Sequence, residues 1–420
     1  MKTFPTLAVG LLSLLLLQLA GAETAEAEES AAEGGPVQRW LAQESATGGW
    51  GGWRSRIAEA GVTPSLNYTT DLMTNPVGGL DQDAAYAAGF YGSLELDFGI
   101  LAGISGLSLY AAGAWDQGRD LSGDDIGNVF GVSQIFNGDG FRLAELYLQQ
   151  TLWDGAVSLA AGRLAAGDLF AAADSYAYYV SGAVNGNPTS ILVNAPSFTT
   201  PPYAQWGARA KVAPGAGLSL SAGVYNADPE VQADAKHGVD FRLNPQDGVL
   251  TLAEVGYDPA LGQEGLAGHY ALGGYYDSSL YDYVDGSGRS KTGNYGLYLI
   301  AEQAVFRESD SDDQGLTLWA TVTMNPDREV NTLPYAAYGG LIYQGLLPGR
   351  EQDATALALY YGGFSDDLPD QSYELVLEAN HRFQLGPWLY LTPDFQYVFN
   401  PDGGGIPDAA VFGMEISVDF

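Results

Sequence analysis

The chain has 420 residues and no cysteine, and it carries 51 acidic against 17 basic side chains, a formal net charge of −34. So acidic a surface excludes nucleic-acid binding, which needs basic groups to displace the counterions of phosphate. Without cysteine there is neither a disulfide framework nor a thiolate metal site.

The N-terminus combines Lys2, an apolar run from Leu7 to Leu19, and the small residues Ala20, Gly21 and Ala22. That order predicts a secretory signal peptide over residues 1–22. The run is too short for a membrane anchor, which needs about 20 apolar residues. Residues 23–61 read as a periplasmic lead. It is acidic and Ala-rich as far as Gly35, then predicts short helices over Val37–Gln43 and Trp53–Ala60, the second stopped by Gly61. The lead is expected to tuck near the mouth of whatever follows.

From Val62 onward the side chains alternate with period two, the mark of β-strands with one apolar and one polar or small face. The pattern predicts strands over Val62–Asp71, Phe90–Phe98, Leu107–Ala112, Leu143–Gln149, Val157–Gly162, Gln205–Val212, Leu218–Tyr225 and Gly248–Tyr257. It continues over Ala267–Tyr276, Tyr295–Val305, Leu316–Met324, Tyr335–Gly345, Thr355–Gly363, Tyr373–Phe383, Leu389–Phe399 and Val411–Phe420. The links alternate too. Trp153–Gly155, Pro214–Gly217 and Gln384–Pro387 are tight, whereas Asp116–Gly140, Gly167–Tyr203 and Ala227–Asp247 are long. Short periplasmic turns and long extracellular loops belong to outer-membrane barrels. The expected fold is therefore all-β: a transmembrane antiparallel β-barrel of about 16 strands over residues 62–420, of the outer-membrane porin type. Phe98, Trp115, Trp206, Trp388 and Phe399 sit near strand ends, where interfacial aromatic girdles are expected. In the last strand Phe412, Met414, Ile416, Val418 and Phe420 share the apolar face, an arrangement similar to the assembly signal of Gram-negative outer-membrane proteins.

In such a barrel the polar parity faces the lumen, and the bland expectation is that these residues merely solvate it. Selectivity needs a narrowing that only an inward-folded loop can supply in so wide a barrel. The segment 167–203 is the candidate, because a loop of that length inside a compact domain is usually functional.

Several blocks resemble the carbohydrate-selective porins of the OprB type. They include DDIGNVFGVSQIF (Asp124–Phe136), FRLAELYLQQTLWDG (Phe141–Gly155), GRLAAGDLF (Gly162–Phe170) and NGNPTSILVNAPSFTTPPYAQWGAR (Asn185–Arg209). GVYNADP (Gly223–Pro229), HGVDF (His237–Phe241) and GVLTLAEVGY (Gly248–Tyr257) follow in the same order, and WGGWRSRIAEAGV (Trp50–Val62) precedes them. The resemblance implies a sixteen-stranded barrel in the bacterial outer membrane that passes sugars through a constriction built from inward loops.

A sugar is neutral, dense in hydroxyls and apolar on its ring faces, so a tuned pore needs fixed donors, acceptors and aromatic surfaces. Arg142, Glu145, Arg163, Asp168 and Arg209 cluster around the opening hairpin and its neighbour strand and supply donors and acceptors. Arg142 and Arg163 fall on the lipid-facing parity, at the loop ends of their strands, where the alternative reading is a pair of rim charges facing Asp168 or Asp174. Asn185, Asn187 and Asn194 add neutral hydrogen-bonding groups on the loop, with Tyr176, Tyr178 and Tyr179 as ring faces. Strand parity adds Glu254 to the lumen set. His237, His269 and His381 show no paired metal spacing, and no nucleophile or phosphate-loop motif is present. No catalytic residue, metal or cofactor is expected. The expected partners are carbohydrates and outer-membrane lipid, and the expected state is a monomer. Two other readings stand beside the sugar channel: a less selective, cation-preferring diffusion porin, and a plugged barrel serving adhesion or catalysis.

Overall fold

The computed structural model describes residues 35–420 apart from 185, 229–230, 232–236, 245, 263 and 310–313. The expected signal peptide, the start of the lead and Asn185 lie outside the described residues.

Among those residues sixteen long strands and one two-residue strand form a single antiparallel sheet. They are β1 (Val62–Val77), β2 (Ala84–Asp97), β3 (Leu107–Gly118), β4 (Gly140–Leu152), β5 (Val157–Leu164), β6 (Gln205–Gly215), β7 (Leu218–Asn226) and β8 (Val249–Tyr257). The short β9 (Ala260–Leu261) sits in the turn before β10 (Leu266–Asp282), followed by β11 (Ser290–Arg307), β12 (Gly315–Met324) and β13 (Tyr335–Gln344). β14 (Ala354–Gly363), β15 (Tyr373–Gly386), β16 (Leu389–Phe399) and β17 (Ala409–Asp419) complete the wall. β1 pairs with both β2 and β17, so the sheet closes on itself and leaves no free edge. All sixteen strands read from the alternation are present.

Parity assigns the two faces. Leu72, Leu148, Leu220, Leu297, Leu359 and Phe412 point outward and are exposed, as a lipid-facing band requires. On β17 the alternate residues Glu415 and Ser417 are buried inside.

The helices Pro36–Leu41 and Trp53–Glu59 of the lead dock beside the closing seam. Ala46 N donates to Asp419 O at 2.8 Å, and an Arg54 guanidinium nitrogen donates to Phe420 O. Trp388, expected in a lipid girdle, is instead buried: its ring lies 4.4 Å from that of Trp40, and its Nε1 donates to Trp40 O. Trp388 shares the inward parity of Tyr390 and Thr392, so the lead covers it at the periplasmic mouth and not on the lipid face.

Two extracellular links turn into the lumen and build a core there. The link 119–139 buries Ile126, Phe130 and Val132, and the link 165–204 buries Phe170, Tyr176, Tyr179, Ile191 and Phe198. They pack on Trp319, Tyr338 and Tyr360 on one side and on Leu250, Tyr298 and Ile300 on the other. Much of the inner wall is therefore a packed interface and not a water-lined surface. Two lumen-facing glycines make room for the loop aromatics. A Cβ on Gly340 would stand 2.6 Å from the Tyr179 hydroxyl, and one on Gly362 would stand 2.8 Å from the Phe130 ring.

Candidate functional site

The inward loops have irregular backbones, so their buried N–H groups need acceptors from elsewhere. The wall supplies carboxylates. Ala165 N donates to Glu145 at 2.9 Å, Ala171 N to Glu254 at 3.0 Å, Ser175 N to Glu302 at 2.7 Å and Val180 N to Glu378 at 2.7 Å. In the shorter loop Phe130 N donates to Glu374 at 2.7 Å. Each bond satisfies a loop N–H that burial would otherwise leave unpaired. Glu254, expected to face solute, is thus a loop anchor, and its second bond comes from the Tyr298 hydroxyl.

Asn187 and Asn194 are also displaced from the expected role. Asn187 is fully buried, and its Nδ2 donates to the carbonyls of Gly167, Phe170 and Ala171, stapling the loop to itself. Asn194 exchanges bonds with Leu333 N and O and donates to Asn325, tying the loop to the far wall. Both amides hold the loop in place and neither faces the open lumen. Tyr176 and Tyr179 are core residues for the same reason: their hydroxyls bond to Thr321 and to Leu341 O.

The loops pack against the wall from β8 round to β17 and β1. On the other side the loop 165–204 reaches the wall at Glu145 on β4 and Tyr225 on β7, and an open space remains beside these contacts. Tyr91, Tyr110, Glu145, Tyr147 and Arg209 from the wall enclose a cavity of about 480 Å³ with Asp168 and Pro201 from the loop. Arg209 Nη1 lies 3.5 Å from Asp168 Oδ2 and 3.3 Å from Ala165 O, with its guanidinium 5.4 Å from the centre of the Tyr147 ring. The Tyr110 and Tyr147 rings lie 5.1 Å apart, and Tyr91 Oη is 3.4 Å from Glu145 Oε2. Two residues further along β6, toward the periplasm, Lys211 lines a second cavity of about 670 Å³ with Tyr178, His269 and Arg307. The two cavities form successive stations along one strand.

Glu145, Asp168 and Arg209 therefore come together, while Arg142 and Arg163 do not join them. A bulge in β4 opposite Ala112 and Gly113 puts both Ala144 and Glu145 inside and reverses the parity upstream. Phe141 is then exposed and Arg142 buried, contrary to its sequence parity. Arg142 bridges the two inward loops: its guanidinium lies 4.2 Å from the Tyr203 ring centre and reaches Asn137 O at 3.5 Å. Arg163 keeps its outward parity but is covered by the link between β7 and β8. That link takes Leu143 N on His237 O at 2.9 Å and sets Phe241 against Trp206.

The tyrosines of the passage, Tyr91, Tyr110 and Tyr147, were not among the candidates. Their signal was present: Tyr147 is two residues from Glu145 and pairs directly with Tyr110 across β3 and β4.

A closed barrel with an apolar outer band and a lumen narrowed by inward loops defines an outer-membrane diffusion channel, a porin. Within that class, the chain belongs to the carbohydrate-selective porin, OprB family, whose model matches residues 81–420. It is similar to Porin B of Pseudomonas aeruginosa, with 26% identity over 92% of each chain. It is also 23% identical to the putative porin QuiX of Acinetobacter baylyi, over 91% of this chain and 93% of that one. Its fold matches the high-pH structure of Pseudomonas putida OprB with a TM-score of 0.83 at 23% identity, covering 90% of this chain and 99% of that one. Salmonella typhi OmpF matches with a TM-score of 0.53 at 14% identity, covering 86% of this chain and 99% of that one. The protein is a sugar channel of the bacterial outer membrane.

Proposed function

We propose that sugars cross between the β2–β7 wall and the loop 165–204, and that Arg209, Asp168 and Glu145 read their hydroxyls while Tyr110 and Tyr147 take the ring faces. The observation that carries this reading is the approach of Arg209 to Asp168 at 3.5 Å beside a tilted pair of tyrosines on a cavity of about 480 Å³. One guanidinium offers several donors in a fixed plane, and the carboxylates accept. A paired acid and base also keep the local field low, so a neutral solute meets no ion barrier. The reading takes a single chain as the working unit. The reading assigns transport and no chemistry, delivery after removal of residues 1–22, and a periplasmic place for residues 23–61.

A cation-preferring pore is the competing reading, because the passage holds two carboxylates for one guanidinium. Planar-bilayer recordings separate the two. Arg209→Ala is expected to weaken sugar block of the current by about tenfold, the worth of one charge-assisted bond, and to move the reversal potential toward cations. If sugar block is unchanged while only the reversal potential moves, Arg209 sets ion preference alone and the sugar site lies elsewhere.

A further inference from the structure

The seam that closes the barrel carries a group of buried acids outside the sugar passage. Asp71 on β1 stands directly opposite Glu415 on β17, and Glu415 stands opposite Thr392 on β16. Further along β16, Asp394 faces Asn380 and Gln396 faces Glu378, both on β15. All seven side chains point inward, Asp71, Glu415 and Gln396 against the loop 119–139 and Glu378 and Asn380 against the loop 165–204, and each is at least nine-tenths buried. Burying carboxylates is costly unless something positive faces them. Arg382 is the guanidinium that faces Glu415, but it makes no hydrogen bond to it: its Nε is unpaired and its Nη2 is turned to the loop. Its Nη2 donates to Ala177 O at 2.6 Å, and it sits on the rings of Tyr178 and Tyr390.

The hydrogen bonds account for only part of each side chain. Ser133 Oγ donates to Asp71 Oδ2 at 2.6 Å, Gln134 Nε2 to Glu415 Oε2 at 3.2 Å, and Gln396 Nε2 to Asp394 Oδ2 at 2.8 Å. Glu378 is satisfied by Val180 N and the Tyr360 hydroxyl. Asp71 Oδ1, Glu415 Oε1, Asp394 Oδ1, Gln396 Oε1, Asn380 Oδ1 and Thr392 Oγ1 accept no hydrogen bond. Native interiors leave few buried acceptors unpaired, and these belong to neighbouring positions on four adjacent strands. Among the described residues no three acidic or imidazole groups form a ready metal cage. Of the three carboxyls here with an unpaired oxygen, Asp71 and Glu415 occupy directly paired positions, so the donor set is these two carboxylates completed by amide and hydroxyl oxygens. That mixture suits a large hard cation, which takes 6–8 oxygens at about 2.3–2.6 Å, better than magnesium with its strict octahedron.

We propose that this cluster binds one divalent cation of the calcium class behind the inward loop, tying Ser133 and Gln134 to the barrel seam. The alternative is that the carboxyls share protons and hold no ion.

The full chain, refolded without lipopolysaccharide to remove lipid-bound calcium, gives the test. After dialysis into metal-free buffer it is expected to retain about one calcium per chain. Chelation by EGTA should lower the melting temperature, and calcium chloride should restore it. Asp71→Asn combined with Glu415→Gln should abolish retention while leaving the acidic surface unchanged. If that variant does not fold, terbium on the wild type reads the site. Its tyrosine-sensitised emission should be displaced by calcium and fall several-fold in Tyr390→Phe, because the Tyr390 hydroxyl meets Glu415. A wild-type barrel that retains no ion and melts identically with EGTA or calcium overturns the proposal.

Discussion

Val180 N lies 2.7 Å from Glu378 Oε1, so the tip of an inward loop rests on a carboxylate of the opposite wall. The same carboxylate takes the Tyr360 hydroxyl at 2.7 Å on its other oxygen. Glu378→Ala removes both bonds, together with those from Ser181 N and Asn380 Nδ2, and each buried donor left without an acceptor costs about 1–3 kcal/mol. The expected outcome is a lower melting temperature with a noisier, larger single-channel conductance as the loop loosens. Circular dichroism melts and bilayer traces check it; unchanged conductance noise would show that the loop is held without this anchor.

Gly340 tests the packing side of the same anchorage. A Cβ there would stand 2.5 Å from Leu357 O and 2.6 Å from the Tyr179 hydroxyl. Gly340→Val is expected to expel the Tyr179 ring and destabilise the loop by about 1–3 kcal/mol, the usual range for overpacking. Limited proteolysis within residues 165–204 should accelerate in the variant and not in the wild type.

Asn194 separates anchorage from solute contact. Asn194→Ala leaves Leu333 N without its acceptor, a buried loss of about 1–3 kcal/mol. Thermal stability should fall while the sugar concentration that half-blocks the current stays within about twofold, since only stability changes of this kind are expected of a residue away from the solute. A large loss of sugar block with unchanged stability would return Asn194 to the solute site.

Arg54 probes the lead. Its guanidinium bonds to Phe420 O, beside the Ala46 to Asp419 bond and the Trp40 and Trp388 rings. Arg54→Ala is expected to lower the temperature at which the folded barrel converts to the unfolded band on electrophoresis, with strand content unchanged by circular dichroism. A conversion temperature equal to wild type would show that the lead adds nothing to the seam.

The wall was legible in the sequence because strand periodicity is local: alternation alone found all sixteen long strands. Arg142 shows the limit. One bulge in β4 reverses the parity upstream of Glu145, and nothing in the alternation marks it. Glu254, Asn187 and Asn194 show a second limit. Parity and composition place a polar group on the inner side, but they cannot tell solute from the backbone of a loop folded against it. Arg209 and Asp168 were found because they lie on the loop and on the strand that follows it, a relation that short sequence distance preserves. Tyr110 and Tyr147 needed cross-strand register, which exists only once the barrel is closed.

The central claim is that this barrel discriminates sugars by contact and not by size alone. Liposome swelling with purified protein tests it most directly, using mono-, di- and trisaccharides alongside neutral solutes of matched size that lack a sugar's hydroxyl array. Each sugar is expected to enter faster than its size-matched control, and Asp168→Asn together with Arg209→Ala to remove the difference. Entry rates that follow size alone, in wild type and variant alike, would contradict it.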